Sequence, residues 1–370
     1  MHSTAEHNDE DVTGDRATVA SKCVLTQLLS SMPRKTSDPI AQSKETFFYL
    51  AYGSNLCDET FLGKRGVKPL SSTNVVVPEL RMTFDLPGIP YTEPCFANSA
   101  KRDTKGQREP ASVAADMSEK APLLGSGFSA ATEYNKDKWK KGLVGVVYQV
   151  TASDYAHIIA TEGGGSSYQD VLVDCYPLEI DQSAPVPWNP NNKPFKAHTL
   201  FAPAVPVGEE PPKDGGRFRR PDPSYAQASA RYLKLITVGA VERKLPYEYQ
   251  EYLNSLQPYT ITTQKQRLGQ FVIGMLWLPF IMFIFSLQRQ FSDDKGIAPP
   301  WLRRLASAVF RAVWDSYDLF FKALFGDGER TVDEKDERAP FQHKSVEEGG
   351  ENTSSSVTSD DEKAPINQRA

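Results

Sequence analysis

Short apolar blocks separated by long polar stretches run through this chain, and one apolar block far exceeds the others. Thr46–Tyr52 (TFFYLAY) is dense in aromatic residues and stops at Gly53-Ser54-Asn55, which predicts a buried strand running into a tight turn. Leu143–Val150 (LVGVVYQV) predicts a second buried strand. Asn74–Leu86 predicts a strand pair punctuated by Pro78, and Tyr168–Ile180 a further strand. Leu56–Leu62, Ser224–Ala240 and Pro246–Leu256 have helical character. Thr151-Ala152-Ser153-Asp154 supplies the capping chemistry that opens a helix running to Thr161. No internal repeat is found.

The pattern changes after Thr263. Arg267 and Arg289 bracket 21 residues, Leu268–Gln288, without a charge. As a helix at ~1.5 Å per residue this run matches the roughly 30 Å hydrocarbon core of a bilayer. Pro300–Phe325 is amphipathic: Arg304, Ser307, Arg311, Asp315, Asp318 and Lys322 recur at helical spacing, and the remaining surface is aromatic and aliphatic. The competing expectation for Leu268–Gln288 is a helix buried in a soluble core. The preceding domain is complete by about Pro258, which leaves a lone apolar helix no core to enter and favours the membrane. Basic residues flank both ends (Lys265 and Arg267; Arg289, Lys295, Arg303 and Arg304). A positive-inside count places the C-terminal side in the cytosol. Two arrangements answer that count: a re-entrant bend at Pro279 that keeps both flanks cytosolic, or a preceding domain that works in a lumen. A cytosol-facing domain with 300–325 lying in the interface is expected, and spanning versus re-entrant topology is left open.

The polar remainder divides the chain. Residues 1–44 read as a disordered leader without a secretory signal, and 326–370 as a disordered acidic tail. Between them lie a domain over 45–262, with mobile insertions at 101–141 and 183–222, and membrane-associated helices over 263–325. The net charge of −5 over 370 residues belongs to the tail: 12 acids and 6 bases fall between Asp327 and Ala370. The body is near neutral, which argues against a nucleic-acid partner. A protein partner for the acidic tail is left unspecified. Cys23, Cys57, Cys95 and Cys175 are scattered, with no C-x-x-C pair, and the five histidines show no ligand spacing, so neither a disulfide scaffold nor a metal site is expected. Reduced thiols in a cytosolic setting are.

Three local features bear on chemistry. Tyr52-Gly53-Ser54-Asn55-Leu56 ends a strand in residues that can turn successive backbone N–H groups toward an anion. Taken alone, it reads more simply as an ordinary strand-to-helix turn with Ser54 or Asn55 as the helix cap. Glu162 precedes Gly163-Gly164-Gly165, which leave its surroundings open to a ligand. The apolar stretch His157–Ala160 would desolvate it, as suits a general base. Taken alone, it is a solvated Glu at a helix end. Lys234–Leu253 is two helices about a Leu245-Pro246 break, in itself only packing. Cys57, His157 and His198 are expected to be structural.

In order, these features resemble the γ-glutamyl cyclotransferase family: Phe48–Ala51 into Tyr52–Leu56, then Glu162-Gly163 with Tyr168 beyond, then Tyr232-Leu233, Gly239-Ala240, Leu245-Pro246, Tyr249-Gln250 and Leu253. The resemblance covers roughly residues 46–258. It implies an α+β fold, a small mixed β-barrel flanked by helices, here followed by the C-terminal apolar helix. It implies a lyase-type reaction on a small γ-glutamyl substrate: the α-amine attacks the γ-carbonyl, closing 5-oxoproline and releasing an amino acid, peptide or amine. It implies Glu162 as the catalytic base, Tyr52, Gly53, Ser54, Asn55, Leu56 and Tyr168 as substrate-binding residues, and no metal or organic cofactor. The alternatives are a non-catalytic membrane-tethered binding or scaffold protein that retains the fold, and a cyclotransferase specific for γ-glutamylamines.

Overall fold

A computed structural model describes residues 45–102, 138–162, 169–202 and 226–332. The leader, most of the 101–141 insertion, residues 163–168, 203–225 and the tail beyond 332 lie outside the described residues.

Five strands close into a barrel: β1 (Thr46–Ala51), β2 (Ser71–Val77), β5 (Leu143–Thr151), β6 (Gln169–Pro177) and β7 (Phe195–Phe201), in the order β1-β5-β2-β6-β7. All neighbours are antiparallel except β7 and β1, whose contact is parallel at Tyr49 and His198. The fold is thus the expected α+β barrel with flanking helices. β5 lies between β1 and β2 and is buried along both faces, which is why LVGVVYQV reads as an unbroken apolar run rather than an alternation. β3 (Leu80–Ile89) and β4 (Glu93–Lys101) form a separate antiparallel hairpin. β4 is not legible in the sequence, because Asn98 and Ser99 are among its buried residues. β7 falls inside the stretch 183–222 that the sequence assigns to an insertion loop. Correcting that assignment, its Lys196 and His198 interrupt the apolar signal while Ala197 and Leu200 fill the core.

Helix α1 (Ala152–Thr161) follows β5 without a linker, and Thr151 Oγ1 accepts the Asp154 N–H at 3.1 Å as its cap. Helix α2 (Ala230–Glu242) is capped by Ser229, whose Oγ accepts the Tyr232 N–H at 3.0 Å. Helix α3 (Tyr247–Asn254) follows the Leu245-Pro246 break. α2 packs directly on the turn after β1: a Cβ at Gly239 would stand 2.5 Å from the Cys57 nitrogen and the Leu56 carbonyl carbon. Only glycine admits that approach.

Helix α4 (Gln264–Phe291) opens with a capping box in which Thr263 and Gln266 satisfy each other's backbone N–H groups. Helix α5 (Pro300–Ser316) runs back along it, continues through a wider turn at Tyr317–Phe321, and ends as α6 (Lys322–Phe325). Ile273, Ile281, Val313, Trp314, Tyr317 and Phe321 form a second core with Ile89 and Tyr91 of the β3–β4 hairpin. Trp314 Nε1 donates to Gly88 O at 3.0 Å, and Tyr91 Oη to Gly326 O at 2.8 Å. The apolar helix is therefore not alone. Nor does the tail begin at 326: Asp327 and Glu329 are buried, Gln227 N–H donates to Glu329 O at 2.8 Å, and the Thr260 N–H donates to Thr331 Oγ1 at 2.8 Å. Residues 326–332 strap the helices to the barrel domain.

The contact at Gly239 yields a test. Gly239→Ala forces α2 off the 53–57 turn and is expected to lower stability by roughly 1–3 kcal/mol, read by urea denaturation of the full chain. Unchanged stability would mean that the two elements do not meet as described.

Candidate functional site

Strand register determines which residues can meet. Thr46 of β1 pairs with Thr151 of β5, and Ala51 with Val146. The end of β1 and the start of α1 therefore lie at opposite ends of the barrel. α1 has ten residues, about 15 Å of helix, close to the ~16 Å covered by the five strand steps between Val146 and Thr151. It carries the chain back to the Ala51 end and delivers Glu162, its C-cap, beside the turn at Gly53–Leu56.

There Glu162 Oε1 accepts from Asn55 Nδ2 at 3.1 Å and is ion-paired with Arg65 Nη2. Asn55 Nδ2 also donates to Tyr49 Oη at 2.9 Å. Arg65 Nη1 donates to Thr161 Oγ1, so one guanidinium grips two consecutive residues at the end of α1. Arg65 is only 8% exposed and Glu162 21%. The carboxylate's neighbours are thus polar; the apolar stretch His157–Ala160, expected to enclose it, does not supply them. The sequence reading missed Arg65. Its one signal was a basic residue just past the short helix, before Gly66, whose φ of +61° turns the chain away.

Around this cluster lies a cavity of about 360 Å³, counting its open mouth, lined by Tyr49, Tyr52, Gly53, Ser54, Asn55 and Glu162, with Ala97, Thr199, Leu200 and Tyr232. Tyr52, Gly53, Ser54, Asn55 and Glu162 are brought together as the sequence predicts. Leu56 is not: its side chain is wholly buried and its N–H donates to Gly53 O at 3.1 Å, so it braces the turn. Tyr168 lies outside the described residues, as do Gly163–Gly165. Among the described residues, no acceptor meets the N–H groups of Ser54 or Asn55, and the buried Asn55 Oδ1 has no donor. Cys57 is buried, and His198 Nδ1 meets Asp170 Oδ1 at 2.9 Å on the barrel.

The sequence named Tyr52 but not Tyr49 or Tyr232 as cavity residues. Burial foremost, and then the negative charge of Glu162, holds the phenols of Tyr49 and Tyr232 well above their ordinary value; burial does the same for Tyr52. All three remain neutral. Tyr52 Oη donates to Leu200 O at 3.1 Å. Tyr232 Oη accepts the Ala97 N–H at 3.2 Å, and Tyr49 Oη accepts from Asn55, so both keep their own hydrogens for a ligand. A Cβ at Gly53 would come within 3.1 Å of Tyr232 Oη, so the absence of a side chain there keeps that hydroxyl at the cavity wall.

No protein-family model matches the chain. It is 30% identical over 283 residues to the γ-glutamyl cyclotransferase gliK of Aspergillus fumigatus, covering 76% of this chain and 89% of that protein. It is 26% identical over 289 residues to the γ-glutamyl cyclotransferase aclK of Aspergillus oryzae, covering 76% and 89%. Among solved structures, one described as a γ-glutamyl cyclotransferase aligns with 60% of this chain and 93% of its own, at 17% identity and a TM-score of 0.36. The chain belongs to the γ-glutamyl cyclotransferase family.

The raised phenol values have a consequence for alkaline pH. In the unfolded chain these groups ionise near pH 10; folded, they resist. Their contribution to stability is full below about pH 10 and is lost as pH rises from there toward the folded values. Phenolate absorbance, followed in the wild type and in the three single Tyr→Phe variants, is expected to grow for these residues only as the fold is lost. Ionisation near pH 10 in a folded protein would contradict the burial described.

Proposed function

We propose that this protein is a γ-glutamyl cyclotransferase in which Glu162 is the general base. The carrying observation is the convergence of Glu162, Asn55 and the Gly53–Asn55 backbone on one cavity, in a chain of this family.

A γ-glutamyl amide carries its own nucleophile. Its α-ammonium must lose a proton before the nitrogen can attack the γ-carbonyl carbon. Glu162 takes that proton; the carbon–nitrogen bond of the lactam forms as the carbonyl oxygen becomes an oxyanion. Collapse breaks the bond to the leaving nitrogen. Two protons leave the α-nitrogen in all and two arrive on the leaving nitrogen, which departs as an ammonium. Glu162 passes them on, and water is neither consumed nor released. Because nucleophile and electrophile share one molecule, the protein's task is to hold the folded conformer; well-oriented intramolecular reactions reach effective molarities of ~10⁵–10⁸ M.

The N–H groups of Ser54 and Asn55 suit an anionic oxygen of the substrate, and the donors left on Tyr49 and Tyr232 suit the developing oxyanion. Asn55 Oδ1 is an unused acceptor for the α-ammonium. Arg65 is a positioning residue: it touches Glu162 and Thr161 and fixes the direction of the carboxylate. The described cysteines Cys57, Cys95 and Cys175 are free thiols, which supports a catalytic domain facing the cytosol.

Glu162→Gln is expected to keep the fold and lower 5-oxoproline release by roughly 10²–10⁴-fold across glutathione, γ-glutamyl amino acids and γ-glutamylamines. Turnover retained in that variant would overturn the assignment. For Arg65, Lys keeps the charge but loses the two-pronged grip. Arg65→Lys is expected to cut kcat by about 10²-fold with little change in KM and an intact fold by circular dichroism. A rise in KM alone would place Arg65 in substrate binding instead.

A further inference from the structure

Helix α4 has two unlike faces. Gly269, Ile273, Ile281 and Ile284 are buried against α5 and α6. On the remaining surface Leu268, Phe271, Met275, Leu276, Phe280 and Phe283 are 48–66% exposed. No charge interrupts that surface between Arg267 and Arg289. A row of large apolar side chains this long is costly in water.

The helix is long and apolar enough to cross a bilayer, but its packing argues against crossing. α5 runs antiparallel along it: Ile284 clusters with Leu302 and Ala306, Ile273 and Ile281 with Val313 and Tyr317, and Trp277 Nε1 donates to Ser316 Oγ at 3.1 Å. α5 therefore sets the exposed Arg311 and Asp315 abreast of α4's middle, with the exposed Arg304 and Asp318 nearer the two ends of the apolar run. At mid-bilayer depth Arg311 and Asp315 would each cost about 2.5–3.5 kcal/mol. The N-terminal half of α4 is also tied to the barrel domain, where Gln270 Nε2 donates to Tyr91 O at 2.8 Å. To span, α4 would have to leave both partners.

Charge identifies what covers the open face. Lys265, Arg267, Arg289 and Lys295 are exposed at its two ends, and residues 264–325 hold eight Lys or Arg against four Asp. An apolar row with a basic border fits an anionic lipid leaflet. We propose that the α4–α5 pair is a monotopic membrane-binding surface, with α4 lying flat at the boundary of headgroups and acyl chains and the catalytic domain on the same side. Both basic flanks then face one compartment, and no part of the chain is translocated. The proposal stands on the exposed face and its charges, independently of the reaction.

The test uses the purified full chain and sealed phosphatidylcholine vesicles with or without phosphatidylserine. The wild type is expected to co-sediment, more strongly with phosphatidylserine, and protease added outside is expected to remove tags at both termini. Combining Phe271→Glu, Met275→Glu and Phe283→Glu is expected to weaken binding at least about tenfold with unchanged circular dichroism. Should that variant misfold, Arg267→Glu with Arg289→Glu is expected to remove the phosphatidylserine dependence while leaving the apolar face intact. Protection of one tag would overturn the proposal in favour of a span. So would failure to bind vesicles, or a concentration-dependent dimer whose association, rather than lipid binding, the triple variant abolishes.

Discussion

The site depends on one ion pair. Arg65, on the segment after β1, and Glu162, at the end of α1, are 97 positions apart, and they meet only if the barrel closes in the observed register. The guanidinium also holds Thr161, and Asn55 holds the same carboxylate oxygen from a second direction. A Glu at a helix end would ordinarily sweep through its rotamers. Here two donors from the β1 side of the cavity restrict it. The guanidinium is buried and the carboxylate partly so, and a pair of this kind adds little net stability once the desolvation of its charges is counted. The arrangement is therefore better understood as a means of aiming a carboxylate than as a source of stability.

The cavity wall complements that aim. Its phenols stay neutral through burial and the nearby carboxylate, so they are hydrogen-bond donors rather than competing bases. Backbone N–H groups at Ser54 and Asn55 add donors that carry no net charge and need no reorganisation. A reaction whose nucleophile is supplied by its own substrate needs little else: a folded substrate, one proton acceptor and a place for an oxyanion.

Much of this was legible in the sequence, for physical reasons. β5 and the last three residues of β1 are buried on both faces and so read as unbroken apolar runs; Thr151 caps α1 where the Thr-Ala-Ser-Asp run places a helix start; Gly53–Asn55 and Glu162 stand out because glycines flank polar groups. Other elements were hidden. β4 buries Asn98 and Ser99, and β7 fills inward positions with the small or polar Ala197 and Thr199, so neither presents a strong apolar run. Arg65 carries no signal of its role in the sequence, because nothing local reveals a partner 97 residues away. Leu56 shared the motif but turned inward, since its N–H was already committed to the turn. The helices after Thr263 were legible individually, whereas their mutual packing and the 326–332 strap depend on Trp314 and Tyr91 reaching the β3–β4 hairpin.

The proposed reaction breaks the γ-glutamyl bond with the substrate's own amine and not with water, and isotope tracing separates the two. The full chain is incubated with a γ-glutamyl substrate in water enriched in oxygen-18, and the products are weighed by mass spectrometry. Cyclisation predicts unlabelled 5-oxoproline in equal amount to the released amine. Glutamate carrying oxygen-18 would show hydrolysis and rule cyclisation out.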